Sequence, residues 1–178
     1  MRLFLTEKRD INEHEAAIAL LRFAVKAVHG IELPEMAREP SGKPYFPARR
    51  DIFFSLSHSK HHVLCAIADA PVGCDCEEHK PVTERLMRRV CSEKELEKLD
   101  FFDLWVLKES FIKLKGTLSM EYRDMCFFPS EDGILTPGEG VNARLYRDVD
   151  GLSVGVCSAG DCAEKLEVIS FGKVFSGY

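Results

Sequence analysis

The chain has 178 residues, with 24 Lys and Arg against 29 Asp and Glu for a net charge of −5. It reads as one domain, or two small halves packed as one, and the acidic balance argues against a dedicated nucleic-acid binder. Hydrophobic residues at 46% supply a core, while no apolar run approaches the roughly 18 residues of a membrane helix and the opening MRLFLTEKRD lacks the stretch of a signal peptide, so a cytoplasmic, non-membrane protein is expected.

The first five residues read as a short strand. From Glu13 to His29 the apolar positions Ala17, Leu20, Leu21, Ala24 and Val28 recur at helical spacing, with Arg22 and Lys26 on the opposite face. Residues 34–51, rich in Pro, Arg and Gly, read as an irregular loop. Ile52 to Leu56 and His62 to Ala68 then read as strands around a polar Ser57-His58-Ser59-Lys60 turn, and Val72 to Cys76 as a third strand. In the second half, Thr83 to Val90 and Glu93 to Leu99 are expected as short helices and Phe101 to Lys115 as a longer one. Its stripe of Leu104, Leu107, Phe111 and Leu114 has the spacing of a core-facing surface, and Gly116 is its stop. Met125 to Phe128, Ala143 to Val149, Leu152 to Ser158 and Leu166 to Phe171 read as strands, with a hairpin at Asp150-Gly151. Helix first, then antiparallel strands, in both halves: the pattern is α+β, divided at 1–80 and 81–178.

Two stretches carry candidate chemistry. In Gly73-Cys74-Asp75-Cys76-Glu77 the carboxylates are two apart and share one face of a strand, leaving Cys74 and Cys76 on the other. Paired carboxylates repel, and a hard cation resolves the repulsion; a solvated strand end running into an acidic turn is the competing reading. Glu109 and Lys113 lie one helical turn apart, with Trp105 a turn earlier. They are either a surface ion pair or, in so apolar a helix, a shielded pair whose lysine has a lowered pKa. Lys108 and Lys115 are expected in solvent. Upstream, Arg38, Lys43, Arg49 and Arg50 make the 34–51 loop locally basic, and the Ser57-His58-Ser59 turn offers backbone amides to an anion. The seven cysteines, at 65, 74, 76, 91, 126, 157 and 162, lack framework spacing and are expected as thiols. Cys74, Cys76 and His79, with His61-His62 nearby, permit a zinc reading, though no Cys-x-x-Cys is present.

In order along the chain, Gly42-Lys43-Pro44, Ser55 to Ser59, Gly73 to Glu77 and Trp105 to Lys113 resemble the motifs of the surfactin-type 4′-phosphopantetheinyl transferases. The resemblance covers residues 42–116. It implies two similar α+β halves with coenzyme A in the cleft between them, residues 1–80 being a shortened coenzyme A-binding side and 81–178 carrying the metal-binding helix and the carrier-docking side. It further implies transfer of the phosphopantetheine arm of coenzyme A to a serine of an apo acyl or peptidyl carrier protein, releasing 3′,5′-ADP. By the same resemblance Asp75, Glu77 and Glu109 would hold Mg²⁺, with Mn²⁺ as an alternative. Glu109, directly or through a water on the metal, would deprotonate the serine, and Lys113 would stabilise or protonate the leaving phosphate. Lys43, Ser57 and His58 would bind coenzyme A phosphates, with Arg38 and Arg22 toward the nucleotide end.

A carrier is typically acidic, so an acidic enzyme needs a local basic surface; Arg85, Arg88 and Arg89, opposite Val82, Leu86 and Val90 on the Thr83–Val90 helix, are expected to provide it or to form an ordinary solvated face. A monomer is expected, since such a fold carries its cleft within one chain. The alternatives are a non-catalytic relative that binds carrier proteins or coenzyme A, against which the intact Asp75, Glu77, Glu109 and Lys113 set stands, and the zinc-binding module.

Overall fold

The computed structural model describes residues 1–117 and 119–175. β1 (Arg2–Glu7) leads into α1 (Glu13–His29), which the Asn12 side chain caps and Gly30 ends at φ 70°, a left-handed conformation that costs glycine little. β2 (Ala37–Arg38) and β3 (Pro44–Tyr45) form a small hairpin inside the 34–51 loop. β4 (Phe53–His58), β5 (His62–Ala68) and β6 (Val72–Glu78) follow. Then come α2 (Glu84–Val90), α3 (Glu93–Leu96), α4 (Phe101–Lys115) and a 3₁₀ turn at Tyr122–Asp124. β7 (Phe128–Ser130), β8 (Gly133–Leu135), β9 (Asn142–Tyr146), β10 (Leu152–Ser158), β11 (Leu166–Val168) and α5 (Phe171–Phe175) complete the described chain.

Two sheets carry the fold. One has the order β11-β1-β5-β4 and the other β6-β10-β9. Strand alternation sorts their side chains into layers. Phe4, Val63, Cys65 and Ile67 of the first sheet meet Ala16, Leu20 and Ala24 of α1. Leu3, Leu5, Leu64 and Ala66, on its other face, meet Cys74, Cys76, Val154 and Val156 of the second sheet. The far face of the second sheet lies under α4, whose Leu104, Leu107 and Phe111 cluster with Cys157. The protein is thus α+β in four layers: α1, sheet, sheet, α4. Chain order does not follow the sheets, because β6 pairs with β10 and β11 pairs with β1.

α4 approaches the second sheet through two glycines. A Cβ at Gly73 would collide with the Ser110 carbonyl oxygen and the Leu114 amide, and one at Gly155 would stand 3.0 Å from the Val106 carbonyl oxygen. Ser110 donates across the gap to the Gly155 carbonyl at 2.9 Å. The glycine of the Gly-x-Asp-x-Glu motif is therefore where helix and strand backbones touch, and it sets the height of α4 over Asp75.

Several expectations change. Val28 is exposed, and Val25 takes its place in the α1 core. Ser57 and His58 belong to β4, which pairs with β5 as far as His58 opposite Val63, so the turn is shorter than the polar run. Met125 and Phe127 are buried without being strand, and the strand begins at Phe128 in a hairpin with β8, which polar Glu131-Asp132 conceals in the sequence. The last strand ends at Val168, and Phe171 opens α5.

Candidate active site

The site lies on the seam where β4, the edge of one sheet, abuts β6, the edge of the other. These edges do not form a ladder, so hydroxyls satisfy the unpaired groups between them. Ser55 accepts from the Cys74 amide at 3.0 Å, while the Cys74 thiol donates to the Ser55 carbonyl. Two residues on, Ser57 donates to Asp75 Oδ1 at 2.5 Å. Lys113, reaching across from α4, donates to the same carboxylate oxygen at 2.7 Å and to Ser57 Oγ at 2.9 Å. Asp75, Ser57 and Lys113 thus form one largely buried constellation drawn from three elements.

This arrangement corrects the local reading of α4. Glu109 and Lys113 do not pair with each other: Lys113 pairs with Asp75, and Glu109 accepts from the Tyr122 hydroxyl. Burial alone would lower the Lys113 pKa, but the charge of Asp75 and its hydrogen bond outweigh it, so the pKa is raised and the ammonium stays charged. Lys108, expected in solvent, is wholly buried. Its ammonium donates to the Val90 and Tyr122 carbonyls and to Glu95 Oε1, each at 2.9 Å, and both members of that ion pair are 0% exposed. Lys115 does lie at the surface, with its ammonium 5.2 Å from the Phe111 ring centre.

Asp75 and Glu77 face α4 together, opposite Gly155 and Ser153 of β10. Their neighbours Cys74 and Cys76 point into the core between the sheets. His79 stacks on Phe102 and bonds Ser153, so these three residues do not share surroundings as a zinc site requires. Each of the three acids is engaged separately: Asp75 by Lys113, Glu77 by Lys80 at 2.8 Å, Glu109 by Tyr122. Among the described residues no three His, Cys, Asp or Glu side chains gather at metal-ligand spacing.

The donor chemistry nonetheless fits a hard divalent cation, which takes carboxylate oxygens. Burial, the hydrogen bond to Glu109 and the charges of Glu109 and Asp75 together push the Tyr122 pKa up. The Lys113 ammonium already supplies positive charge at Asp75. The Glu77–Lys80 pair is largely on the solvent side and exchanges at small cost.

Beside this constellation opens a cleft of about 990 Å³, walled by Asn12, by Glu13 and Ala17 of α1, the 36–44 loop, β4 and the end of α4. Lys43, Ser57, His58, Arg38 and Lys113 all line it, whereas Arg22 does not. Arg22 lies instead toward Glu32, whose pKa its charge helps to lower. Lys43 is partly buried and donates to the carbonyls of Val72 and Leu114, tying the loop to β6 and to the C-terminal end of α4. Burial lowers its pKa, opposed by Glu39. Arg38 closes the β2–β3 turn on the Gly42 carbonyl at 2.8 Å. His58 pairs with Glu13 at 2.8 Å, both half-exposed. The rest of the loop's basicity is neutralised locally, since Arg49 pairs with Asp51 and Arg50 with Glu39.

Three participants escape a local reading of the sequence: Tyr122, Glu95 and Glu78. Ser92-x-x-Glu95 has the form of a capping box, and the structure shows both of its bonds, so that signal was present. Glu78 accepts from Ser59, His61 and His62, and the pairing of β4 with β5 is what brings these together.

Comparison with known proteins places these features in a family context. The model of the 4′-phosphopantetheinyl transferase superfamily matches residues 71–137, which hold β6, α4 and the Tyr122 turn. The chain is 33% identical over 170 residues to a Bacillus subtilis 4′-phosphopantetheinyl transferase, covering 85% of this chain and 76% of the relative. It is 31% identical over 183 residues to the 4′-phosphopantetheinyl transferase Sfp of Bacillus subtilis strain 168, covering 92% and 82%. Against the 4′-phosphopantetheinyl transferase AcpT of Salmonella typhi it is 34% identical over 139 residues, covering 71% and 68%.

Proposed function

Since the chain belongs to the surfactin-type 4′-phosphopantetheinyl transferases, we propose that it moves the phosphopantetheine arm of coenzyme A onto a serine of an apo carrier protein, releasing 3′,5′-ADP. The observation that carries this reading is Lys113, which sits on Asp75 and also lines the wall of the large cleft. A fixed ammonium paired with a buried acid therefore borders a space whose walls also carry Lys43, Arg38 and His58. A pyrophosphate donor asks for that sequence of charges.

Coenzyme A would lie along the cleft, its phosphates toward Lys43, Ser57, His58 and Arg38. Asp75, Glu77 and Glu109 would hold Mg²⁺, which when bound neutralises pyrophosphate charge and polarises the phosphorus. The serine oxygen bonds to the phosphorus that carries the pantetheine arm as the bond to the 3′,5′-ADP phosphate breaks. Glu109 takes the serine proton. Lys113, held as an ammonium beside Asp75, donates a hydrogen bond to the departing phosphate and offsets its new charge. The carrier would approach over α2, where Arg85, Arg88, Arg89 and Leu86 are exposed.

The test is to incubate the protein with coenzyme A, Mg²⁺ and a panel of apo carriers, then weigh each carrier. A gain of one phosphopantetheine that disappears with a chelator supports the reading. No gain on any carrier would leave a coenzyme A- or carrier-binding relative as the better description.

A further inference from the structure

The transfer chemistry uses Glu109 but not the two features next to it, the buried Lys108–Glu95 pair and the turn bearing Tyr122. They are linked. Consecutive residues of α4 grip opposite ends of one tyrosine: Lys108 holds the Tyr122 carbonyl at 2.9 Å, and Glu109 Oε1 accepts from its hydroxyl. The ring between them stacks on Trp105, with centres 5.7 Å apart and planes 16° from parallel. Lys108 has all three ammonium donors occupied, by Tyr122, Val90 and Glu95. Glu95 is satisfied in turn by the Ser92 amide, the Ser92 hydroxyl and the Phe127 amide. The network thus joins the end of α2, the start of α3, the middle of α4 and the chain on both sides of the 3₁₀ turn.

Removing a lysine and a glutamate wholly from water is costly, and an apolar pair of the same volume serves stability as well. What such a pair does supply is one fixed arrangement of the backbone groups that it bonds. Here those groups include the carbonyl of the residue whose hydroxyl orients Glu109.

We propose that Tyr122 is a positioning residue for Glu109, and that the Lys108–Glu95 pair is the mount that keeps Tyr122 in place. The hydroxyl takes one carboxylate oxygen and leaves the other for the reacting groups, fixing the rotation of the acid before any ligand arrives. Hydrogen bonds of this kind to a ligating carboxylate typically change metal affinity or activity by ten- to a hundredfold. The proposal rests on the role given to Glu109 above.

Tyr122→Phe tests it, because the ring and its stack on Trp105 remain while the hydroxyl is lost. Trp105 is the only tryptophan of the chain, so quenching of its emission by Mn²⁺ reads the metal space without turnover. The expected result is a Mn²⁺ midpoint raised about tenfold or more and a kcat lowered by a similar factor. The KM for coenzyme A and the thermal midpoint should stay unchanged. An unchanged or lowered Mn²⁺ midpoint would overturn the proposal, as would a wild-type protein with no Mn²⁺ response, since there would be no ligand to position. A wild type that binds Mn²⁺ but modifies no carrier contradicts the transfer reading, while the Mn²⁺ comparison still decides this one. Glu95→Gln separates the mount from the tyrosine. It should lower the thermal midpoint and also weaken Mn²⁺ binding; loss of stability alone would remove the mount from the proposal.

Discussion

The two ends of the cleft are built on different principles. At the β6–α4 end Asp75, Glu109 and Lys113 are fixed by glycine-mediated backbone contact, a buried ion pair, and hydroxyls that reach the two acids. At the α1 end, Arg38 and His58 are exposed side chains, one closing its own turn and the other paired with Glu13. Lys43 stands between these regimes, partly buried on two carbonyls yet lining the cleft. Under the proposed function the contrast would suit different duties. Groups that act on a transition state must not move, whereas groups that grip a long, charged donor can exchange a weak protein partner for a ligand phosphate.

The largest way to break the first end is Gly73→Ala. The added methyl meets backbone atoms of Ser110 and Leu114, which cannot rotate away, so α4 must shift or the fold must fail. Overpacking of this kind costs roughly 1–3 kcal/mol or more, and a thermal midpoint lowered by several degrees with little remaining transfer is expected. A stable, active variant would show that α4 does not rest on this strand. Lys43→Met probes the junction between the two ends. The loss of one charged contact to the donor should raise the KM for coenzyme A about tenfold while kcat changes little. A fall in kcat with KM constant would move Lys43 into the rigid half.

Glu13→Gln sharpens the comparison from the other side. Freeing His58 from a carboxylate should lower the KM for coenzyme A, by about threefold at most because exposed pairs are weak. An increase would mean that Glu13 itself serves the donor. The smallest effect concerns Glu78 at the β4–β5 turn. Burial would raise its pKa, but hydrogen bonds from Ser59, His61 and His62 bring it to about 2 from an ordinary 4.5. A depressed carboxylate contributes stability that is complete above its unfolded value and lost as pH falls through the folded one. Thermal midpoints should therefore decline between about pH 4.5 and pH 2, and Glu78→Gln should flatten that part of the profile.

What the sequence discloses follows the same division. α1 and α4 are legible to the residue, because apolar residues recur at helical spacing across each, and Gly116, read as a stop, adopts left-handed φ past the last turn of α4. The face shared by Asp75 and Glu77 follows from strand alternation alone. The partners of those acids do not, because Lys113, Lys80 and Tyr122 are chosen by tertiary contact. Lys108 is the clearest case: in the helical pattern it adjoins Glu109 and looks solvated, yet its partner Glu95 lies on another helix and its burial depends on how that helix docks. Short strands such as β8 were illegible for a related reason, since three residues between polar turns carry no period. The resemblance located the candidate residues, and the fold decides which of them touch.

The central claim is that Asp75, clamped by Ser57 and Lys113, belongs to the reacting end of the cleft. Initial rates of carrier modification, followed by intact mass for the wild type and Asp75→Asn at saturating coenzyme A, test this most directly. Circular dichroism confirms that both are folded. The account predicts that Asp75→Asn loses at least a hundredfold in rate, since charge stabilisation at a transferring phosphate is worth that much. A folded Asp75→Asn variant that modifies the carrier within a few-fold of the wild-type rate would contradict it.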